Sequence, residues 1–225
     1  MRNILPRPSL MLITDRKLCR APLPDIVKQA LEGGVDMVQL REKDLPPTEL
    51  LRLACSLREI IDDKARFVVN GNAQVALDCG ADGVHLPENG LDIEEARAIL
   101  GEKALIGKSV HSPAAAAEAS NADYLILGTI YATSSKVGVR PGGAGLIKEA
   151  AETSHAPIIA VGGITQQRIP EILAAGAVGI AVCSAIMCAD DPWAVCRNFR
   201  SALDTGYREV DRHDKSDRQR RTASA

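Results

Sequence analysis

The sequence lacks the features that would place it in a membrane or on nucleic acid. Its apolar stretches are six to eight residues long and are interrupted by Gly, Asp or Lys, whereas a membrane-spanning helix needs roughly 20 apolar residues. The net charge is −2, with 27 basic and 29 acidic residues intermixed, so no broad positive surface is expected. We therefore predict a protein with neither a membrane nor a nucleic acid as its partner.

The chain also lacks a disulfide framework and the cysteine spacing of a metal site. Its six cysteines are scattered without a Cys-x-x-Cys pair, and Cys79 and Cys183 fall in apolar segments. This usage favours reduced thiols and a cytoplasmic location. Two prolines interrupt the segment 1–15 and no small-residue cleavage site follows it, so we expect no export signal.

Eight short apolar segments rich in β-forming residues recur along the chain and predict strands. Stretches with helical spacing separate them, several opening on a Ser, Thr, Asp or Asn cap. Near-continuous apolar strands indicate a parallel sheet covered on both faces. The predicted strands lie at 10–15, 37–42, 66–70, 83–86, 105–110, 124–130, 157–163 and 179–186.

Eight strands alternating with helices favour an α/β fold of one (β/α)8 TIM barrel. The alternative is an open, doubly wound sheet, which more often has five or six strands and a glycine-rich turn after the first. No Gly-x-Gly-x-x-Gly pattern occurs in the sequence. We predict a barrel domain over 1–204 and a disordered, charged tail over 205–225, where apolar residues become scarce.

In such a barrel the active site lies at the carboxyl ends of the strands. The sequence Val-Gly-Gly-Ile-Thr follows the seventh strand, and its glycines allow backbone N–H groups to approach an anion closely. A tight turn is the plainer interpretation of Gly162 and Gly163. Because Ser184 ends the neighbouring strand, we favour a phosphate site formed by these two loops.

A second anion-binding corner is predicted after the second strand. Arg41 and Lys43 are two residues apart, which places them on one side of an extended chain. A solvated pair of charges is the alternative. Lys136 could reach the same corner from the glycine-rich loop 131–144, which we interpret as a mobile lid.

His111 follows the fifth strand in the sequence Gly-Lys-Ser-Val-His-Ser. An imidazole titrates near pH 6.5 and can accept and return a proton at neutral pH. A lone histidine is more often a hydrogen-bonded structural residue, but its place at a strand end makes His111 our candidate catalytic base. His85 also ends a strand, and its apolar neighbourhood indicates either a structural residue or one that supports the site residues.

The sequence resembles the thiamine phosphate synthase superfamily of (β/α)8 barrels over roughly residues 10–204. The resemblance is carried by LITDR at 12–16, VQLREK at 38–43, ADGVHL at 81–86, IGKSVHS at 106–112, ADYLILGTIYATSSK at 122–136, IIAVGGI at 158–164 and GAVGIAVCSAI at 176–186. Synthases of this superfamily join a pyrimidine diphosphate to a thiazole phosphate and use magnesium to neutralise the diphosphate.

The resemblance implies two sets of substrate-binding residues. The anion corner would comprise Arg41, Lys43, Asn70, Ser109 and Lys136. The thiazole phosphate would contact Thr133, Ser135, Gly163, Cys183 and Ser184, with Ser135 in the place of the usual Thr.

The sequence departs from the synthases where they carry metal-binding carboxylates. An Asp would follow the Asn of the third strand and another would follow the ADGVHL segment, but Gly71 and Gly90 occupy these positions. Both departures, together with the SVHS motif, resemble the thiazole tautomerases of the TenI type, which use that histidine and no metal.

We therefore expect a thiazole tautomerase without metal or cofactor, in which His111 shifts a proton on a thiazole carboxylate phosphate. Two alternatives stay open. One is a thiamine phosphate synthase, which would need Mg²⁺. The other is a non-catalytic regulator that binds thiazole phosphate. The sequence also leaves a homo-oligomer open.

Overall fold

The computed structural model describes residues 5–133, 138 and 140–223 of the chain, with side chains described as far as residue 212. Eight parallel strands follow one another around a closed barrel, and β1 pairs with β8 to complete it. The predicted TIM barrel is confirmed, and this pairing excludes the open sheet. The strands are β1 (Ser9–Ile13), β2 (Met37–Leu40), β3 (Arg66–Asn70), β4 (Gly83–Leu86), β5 (Leu105–Val110), β6 (Tyr124–Leu127), β7 (Ile158–Val161) and β8 (Gly179–Val182).

Helices cover the outside of the barrel. Asn72, Asp92 and Ser112 accept backbone N–H bonds at the starts of three of them, as the capping signals predict. Short 3₁₀ turns lie at Arg16–Leu18 and Gln166–Arg168. The α-helices are α1 (Leu23–Glu32), α2 (Pro47–Ile61), α3 (Ala73–Asp78), α4 (Ile93–Leu100), α5 (Pro113–Glu118), α6 (Gly143–Thr153), α7 (Ile169–Ala174), α8 (Ser184–Met187) and α9 (Pro192–Ala223).

Alternate residues of each strand face the barrel interior, because side chains of a strand point to opposite faces. The outward set, with Leu10 and Val38 among it, packs beneath the helices. The inward set forms a separate buried cluster that includes Met11, Met37 and Ile159. Both faces of each strand are therefore buried, which explains the near-continuous apolar segments of the sequence.

Tyr124 is the largest side chain buried in the interior cluster. A glycine on the adjacent strand makes room for it: a Cβ atom on Gly107 would lie 2.1 Å from Cζ of the Tyr124 ring. The two residues are register partners of β5 and β6. Gly107 is thus required by packing and not by an unusual backbone conformation.

Helix α9 connects the last part of the barrel to its first two strands through side-chain hydrogen bonds. Arg200 donates hydrogen bonds to Oδ2 of Asp36 at 2.8 Å and to the carbonyl oxygen of Pro8 at 2.9 Å. The Asp36 carboxylate in turn accepts from the N–H of Leu10 in β1 at 2.8 Å. One guanidinium therefore links the last helix to both of the first two strands.

Helix α9 continues to Ala223 through most of the segment 205–225, for which a disordered tail is expected, and residues 224–225 lie outside the described part of the chain. Val210 packs against the core, and Thr205 Oγ1 donates to the carbonyl of Ser201 at 2.9 Å. A helix that is already anchored gains one hydrogen bond for each residue added, so low apolar content alone does not end it. Among the described residues, none of the helices has a run apolar enough and long enough for a bilayer.

Because Tyr124 packs against Gly107, alanine substitutions at two different glycines should change the stability in opposite directions. Gly107→Ala should lower the free energy of unfolding by about 1–3 kcal/mol, because the methyl group overlaps the ring. Gly145→Ala is the control, since a Cβ at Gly145 in α6 meets nothing within 4 Å, and it should stabilise by about 0.5–1 kcal/mol. Urea unfolding of both variants measures this, and equal effects would contradict the packing argument.

Candidate functional site

A cavity of about 270 Å³ opens at the carboxyl ends of the strands, as expected for this fold. Its volume lies just below the roughly 300–1,000 Å³ typical of sites for small molecules. Its floor is formed by apolar side chains of the barrel interior. Polar residues from the loops and strand ends complete it: Gln39, Arg41, His85, Thr129, Thr133 and Ser184.

The predicted glycine turn forms one wall of the cavity. Gly162 and Gly163 have φ angles of 102° and 59°, which favour glycine. A Cβ on Gly163 would lie 2.3 Å from the carbonyl oxygen of Ala132. The Gly163 carbonyl accepts from Nη1 of Arg168 at 2.7 Å, and that guanidinium lies 4.1 Å from the centre of the Tyr131 ring. The turn is thereby held against the loop that follows β6.

The loop after β8 lines the cavity beside this turn. Ser184 begins the short helix α8, and Cys183 precedes it. Burial raises the pKa of the Cys183 thiol to about 12, so the thiol stays neutral at physiological pH. Cys183 can therefore contribute packing, whereas the Ser184 hydroxyl can contact an anion.

Arg41 supplies the positive charge of the cavity wall, and a buried network holds its backbone. The Arg41 N–H donates to Oγ1 of Thr14 at 2.9 Å, and Thr14 Oγ1 donates to Oε1 of Glu42 at 2.7 Å. The Glu42 carboxylate also accepts from the N–H of Arg16 at 3.1 Å. These bonds join the loops after β1 and β2 and fix the direction in which Arg41 leaves the strand.

Lys43 is exposed and does not line this cavity with Arg41. The predicted alternation of the two side chains assumed an extended chain, but β2 ends at Leu40. Beyond that residue the strand no longer dictates which side each residue faces. Lys136 and Ser135 lie outside the described residues, as does part of the expected lid 131–144.

His85, for which the sequence indicates a structural or supporting role, is buried in the cavity wall. Its Nε2 lies 2.8 Å from Oγ of Ser109, and its Nδ1 lies 3.2 Å from Oη of Tyr124. Burial first, and then the charges of Arg41 and Lys108, lower the pKa of His85 to about 3. The imidazole is therefore neutral at physiological pH.

His111 is exposed and is not among the residues that line the cavity. Strand β5 ends at Val110, one residue before it. Its Nδ1 lies 3.0 Å from Oε2 of Glu88, a carboxylate that is also partly exposed. The expected placement of His111 in the cavity is not what the structure shows, because the strand stops too early to hold the side chain inward.

The other predicted site residues fall into two groups. Thr133, Gly163, Cys183 and Ser184 line the cavity with Arg41. Asn70 and Ser109 lie next to it, where Oδ1 of Asn70 accepts from Nε2 of Gln39 at 3.4 Å and Ser109 contacts His85.

Gln39 and Thr129 also line the cavity, although neither is among the substrate-binding residues that the resemblance implies. Gln39 is a polar residue near the end of the second predicted strand, and alternation along β2 directs it inward because it lies two residues after Met37.

The neutral state of His85 predicts a specific loss of stability in acid. Its pKa of about 3 in the folded chain lies below the ordinary value of 6.5, so the unfolded chain takes up the proton first. Its contribution to stability is complete above pH 6.5 and falls by about 1.4 kcal/mol for each pH unit below that value, down to about pH 3.

Chemical unfolding of wild type and His85→Gln across this pH range tests that slope. The difference between their free energies of unfolding should change with pH, whereas His155→Gln, at an exposed position, should run parallel to wild type. Parallel curves for His85→Gln would refute the assignment.

Comparison with known proteins is consistent with this geometry. The family model described as "Thiamine monophosphate synthase" matches residues 10–186. The putative thiamine-phosphate synthase of Geobacter sulfurreducens is 46% identical over 82% of this chain and 89% of its own length. The thiamine-phosphate synthase of Gloeobacter violaceus is 43% identical over 82% of this chain, but the match spans only 55% of that longer protein.

A solved structure gives the same result for the fold. Thiamine phosphate pyrophosphorylase from Pyrococcus furiosus superposes with a TM-score of 0.80 at 35% identity, over 88% of this chain and 96% of that one. From the family match and these relatives, we conclude that the chain belongs to the thiamine monophosphate synthase family.

Proposed function

We propose that the chain is an enzyme of thiamine biosynthesis that joins a pyrimidine diphosphate to a thiazole phosphate and releases pyrophosphate. The observation that carries this proposal is the glycine turn beside Ser184, which faces Arg41 across one cavity. Relatives named as synthases, at 43% and 46% identity, support it over the tautomerase expected from the sequence.

Under this proposal the two substrates would be held by different residues of the cavity wall. The turn Gly162–Gly163 and the Ser184 hydroxyl would hold the thiazole phosphate through N–H and O–H donors. Arg41, with Asn70 and Ser109 beside it, would bind the diphosphate. In the reaction the bond between the pyrimidine methylene and the diphosphate oxygen breaks, and the thiazole nitrogen forms the new bond to that methylene.

The role of Arg41 follows from where charge develops. Negative charge grows on the departing diphosphate as its bond to carbon lengthens, and a fixed guanidinium stabilises that charge. The network of Thr14 and Glu42 holds the Arg41 backbone in place before the substrate arrives.

The residues at the two expected carboxylate positions do not fit a magnesium-diphosphate site. Gly71 and Gly90 carry no ligand atoms in their side chains. Within the described part of the chain, His, Cys, Asp and Glu side chains form no cluster of three that could hold a metal ion. Magnesium is usually held by one or two protein carboxylates, so we assign it no step here.

These same glycines favour thiazole tautomerisation as a second candidate function. That reaction needs a phosphate site, a cation for the carboxylate and one base, without a metal. His111 would be the base, and it would have to leave Glu88 and turn toward the cavity, since Nδ1 is now 3.0 Å from that carboxylate.

A side-by-side assay tests the two functions. The purified protein is given both synthase substrates, and separately the thiazole tautomer, each with and without magnesium. We expect thiamine phosphate and pyrophosphate to form from the synthase substrates. Turnover of the tautomer alone would overturn the synthase proposal in favour of the second candidate. Binding without any turnover would overturn both and indicate a regulator.

His111→Gln separates the candidates further. Under the synthase proposal the variant keeps its rate of pyrophosphate release within about threefold, because His111 lies outside the cavity. As a tautomerase it would lose about 100-fold or more, the usual effect of removing a general base. Steady-state kinetics on both substrate sets measures the difference.

The phosphate site predicts that Gly163→Ala weakens binding of thiazole phosphate by about tenfold or more, equivalent to about 1.4 kcal/mol. The new methyl group would overlap the Ala132 carbonyl oxygen and move the turn. Gly80→Ala is the control, because Gly80 shares a positive φ of 66° but has open space around it and lies away from the cavity. Calorimetric titration of both variants should show the loss only for Gly163→Ala.

A further inference from the structure

Three side chains form a hydrogen-bonded chain from the barrel interior to the edge of the cavity. Tyr124 Oη lies 3.2 Å from Nδ1 of His85, and Nε2 of His85 lies 2.8 Å from Oγ of Ser109. Tyr124 and His85 are almost completely buried, and Ser109 is half-buried. The three residues belong to the adjacent strands β6, β4 and β5.

Tyr124 determines which group donates each of these hydrogen bonds. Its ring lies among apolar side chains that include Leu105, Ile126 and Ile159. Burial raises the pKa of its phenol well above the ordinary value, so the O–H group stays protonated. Among the described residues the acceptor within reach of this O–H is Nδ1 of His85. Tyr124 therefore donates to His85.

A neutral imidazole carries one hydrogen, and the Tyr124 bond decides its position. If Nδ1 accepts, the hydrogen is on Nε2, which then donates to Oγ of Ser109. The opposite tautomer would leave the buried phenol O–H without an acceptor, at a cost of about 1–3 kcal/mol. That cost corresponds to a preference of roughly five-fold to 150-fold for the Nε2–H form.

Ser109 is the last of the three hydrogen-bonded residues, and the orientation of its hydroxyl group depends on the other two. Since Ser109 Oγ accepts from His85, its own hydrogen must point elsewhere, and its partner His85 lines the cavity. With one of its two lone pairs occupied by His85, the hydroxyl has its O–H group available to donate to an acceptor. Its suitable ligand is an anionic oxygen of a phosphoryl or carboxylate group.

We propose that Tyr124 and His85 are positioning residues that hold Ser109 as a dedicated hydrogen-bond donor to a substrate oxyanion. The identity of that oxyanion rests on the proposed function: it is the diphosphate in synthesis and the carboxylate in tautomerisation. The direction of the hydrogens rests on neither reaction and can be measured without a ligand.

The first test is nitrogen NMR of the protein labelled at histidine. In wild type at neutral pH, His85 should show a protonated Nε2 and an unprotonated Nδ1. In Tyr124→Phe the phenol no longer donates, and a mixture of both tautomers should appear. A protonated Nδ1 in wild type would overturn the proposal.

The second test is a double-mutant cycle on ligand binding. Ser109→Ala should weaken binding of inorganic pyrophosphate by about tenfold or more, and Tyr124→Phe by about threefold to tenfold. In the double variant the loss should equal that of Ser109→Ala alone. Losses that multiply would show that Tyr124 does not act through Ser109 and would overturn the proposal.

Controls separate positioning from packing. Tyr124→Phe keeps the ring that fills the space beside Gly107, and thermal unfolding checks that its fold persists. Tyr207→Phe, on the exposed side of α9, should leave pyrophosphate binding unchanged. An equal loss for Tyr207→Phe would contradict a specific role for the Tyr124 hydroxyl.

Repeating the cycle with the thiazole carboxylate phosphate distinguishes the two possible oxyanions. If the double variant loses no more pyrophosphate affinity than Ser109→Ala alone, both the positioning role and the synthase proposal are supported. If this holds only for the thiazole carboxylate phosphate, the positioning role is supported and the synthase proposal is overturned. Independent losses with both ligands overturn the positioning role.

Discussion

Backbone hydrogen bonding between β1 and β8 closes the sheet, and the composition of the cavity depends on that closure. In an open sheet of the same strand order, the loops after β2 and β8 would lie toward opposite edges. In the closed barrel they meet across one opening, so that Arg41 and Ser184 line the same cavity. Neither loop contains all of the proposed anion-binding residues, and the closure of the barrel brings them to one cavity.

The barrel interior changes from apolar to polar along its axis. Met11, Met37 and Ile159 form part of the apolar layer, and His85 lies in the wall of the cavity above it. Tyr124 crosses the boundary, with its ring among apolar neighbours and its hydroxyl on His85. Arg41 lies at the polar end of this gradient, in the wall of the cavity.

The sequence predicted the fold, because near-continuous apolar strands alternate with helices along the chain, and the glycines after β7 predicted the turn. Within a strand, alternation also predicts which side chains face inward. Lys43 and His111 lie beyond the ends of β2 and β5, so the pattern no longer applied to them. For His85 the apolar neighbours suggested a structural role, and only the three-dimensional arrangement revealed its contact with Ser109.

The helical course of 205–223 was beyond prediction for a different reason. Composition indicated too few apolar residues to bury, yet the helix is anchored upstream of this segment by Arg200 and along it by Val210. The helix continues because of these contacts with distant residues, and the composition of the segment gives no information about them. Gly71 and Gly90, in contrast, were informative from sequence alone, because a missing side chain cannot bind a metal in any conformation.

The Arg200–Asp36 contact joins residues that are 164 positions apart. On the ribosome, the first two strands therefore emerge long before the helix that clamps them is made. During that interval their free backbone edge can pair with other chains, which is the usual route to aggregation. That edge is covered only when β8 has been made and pairs with β1, and the hydrogen bonds of Arg200 then hold the closed barrel together.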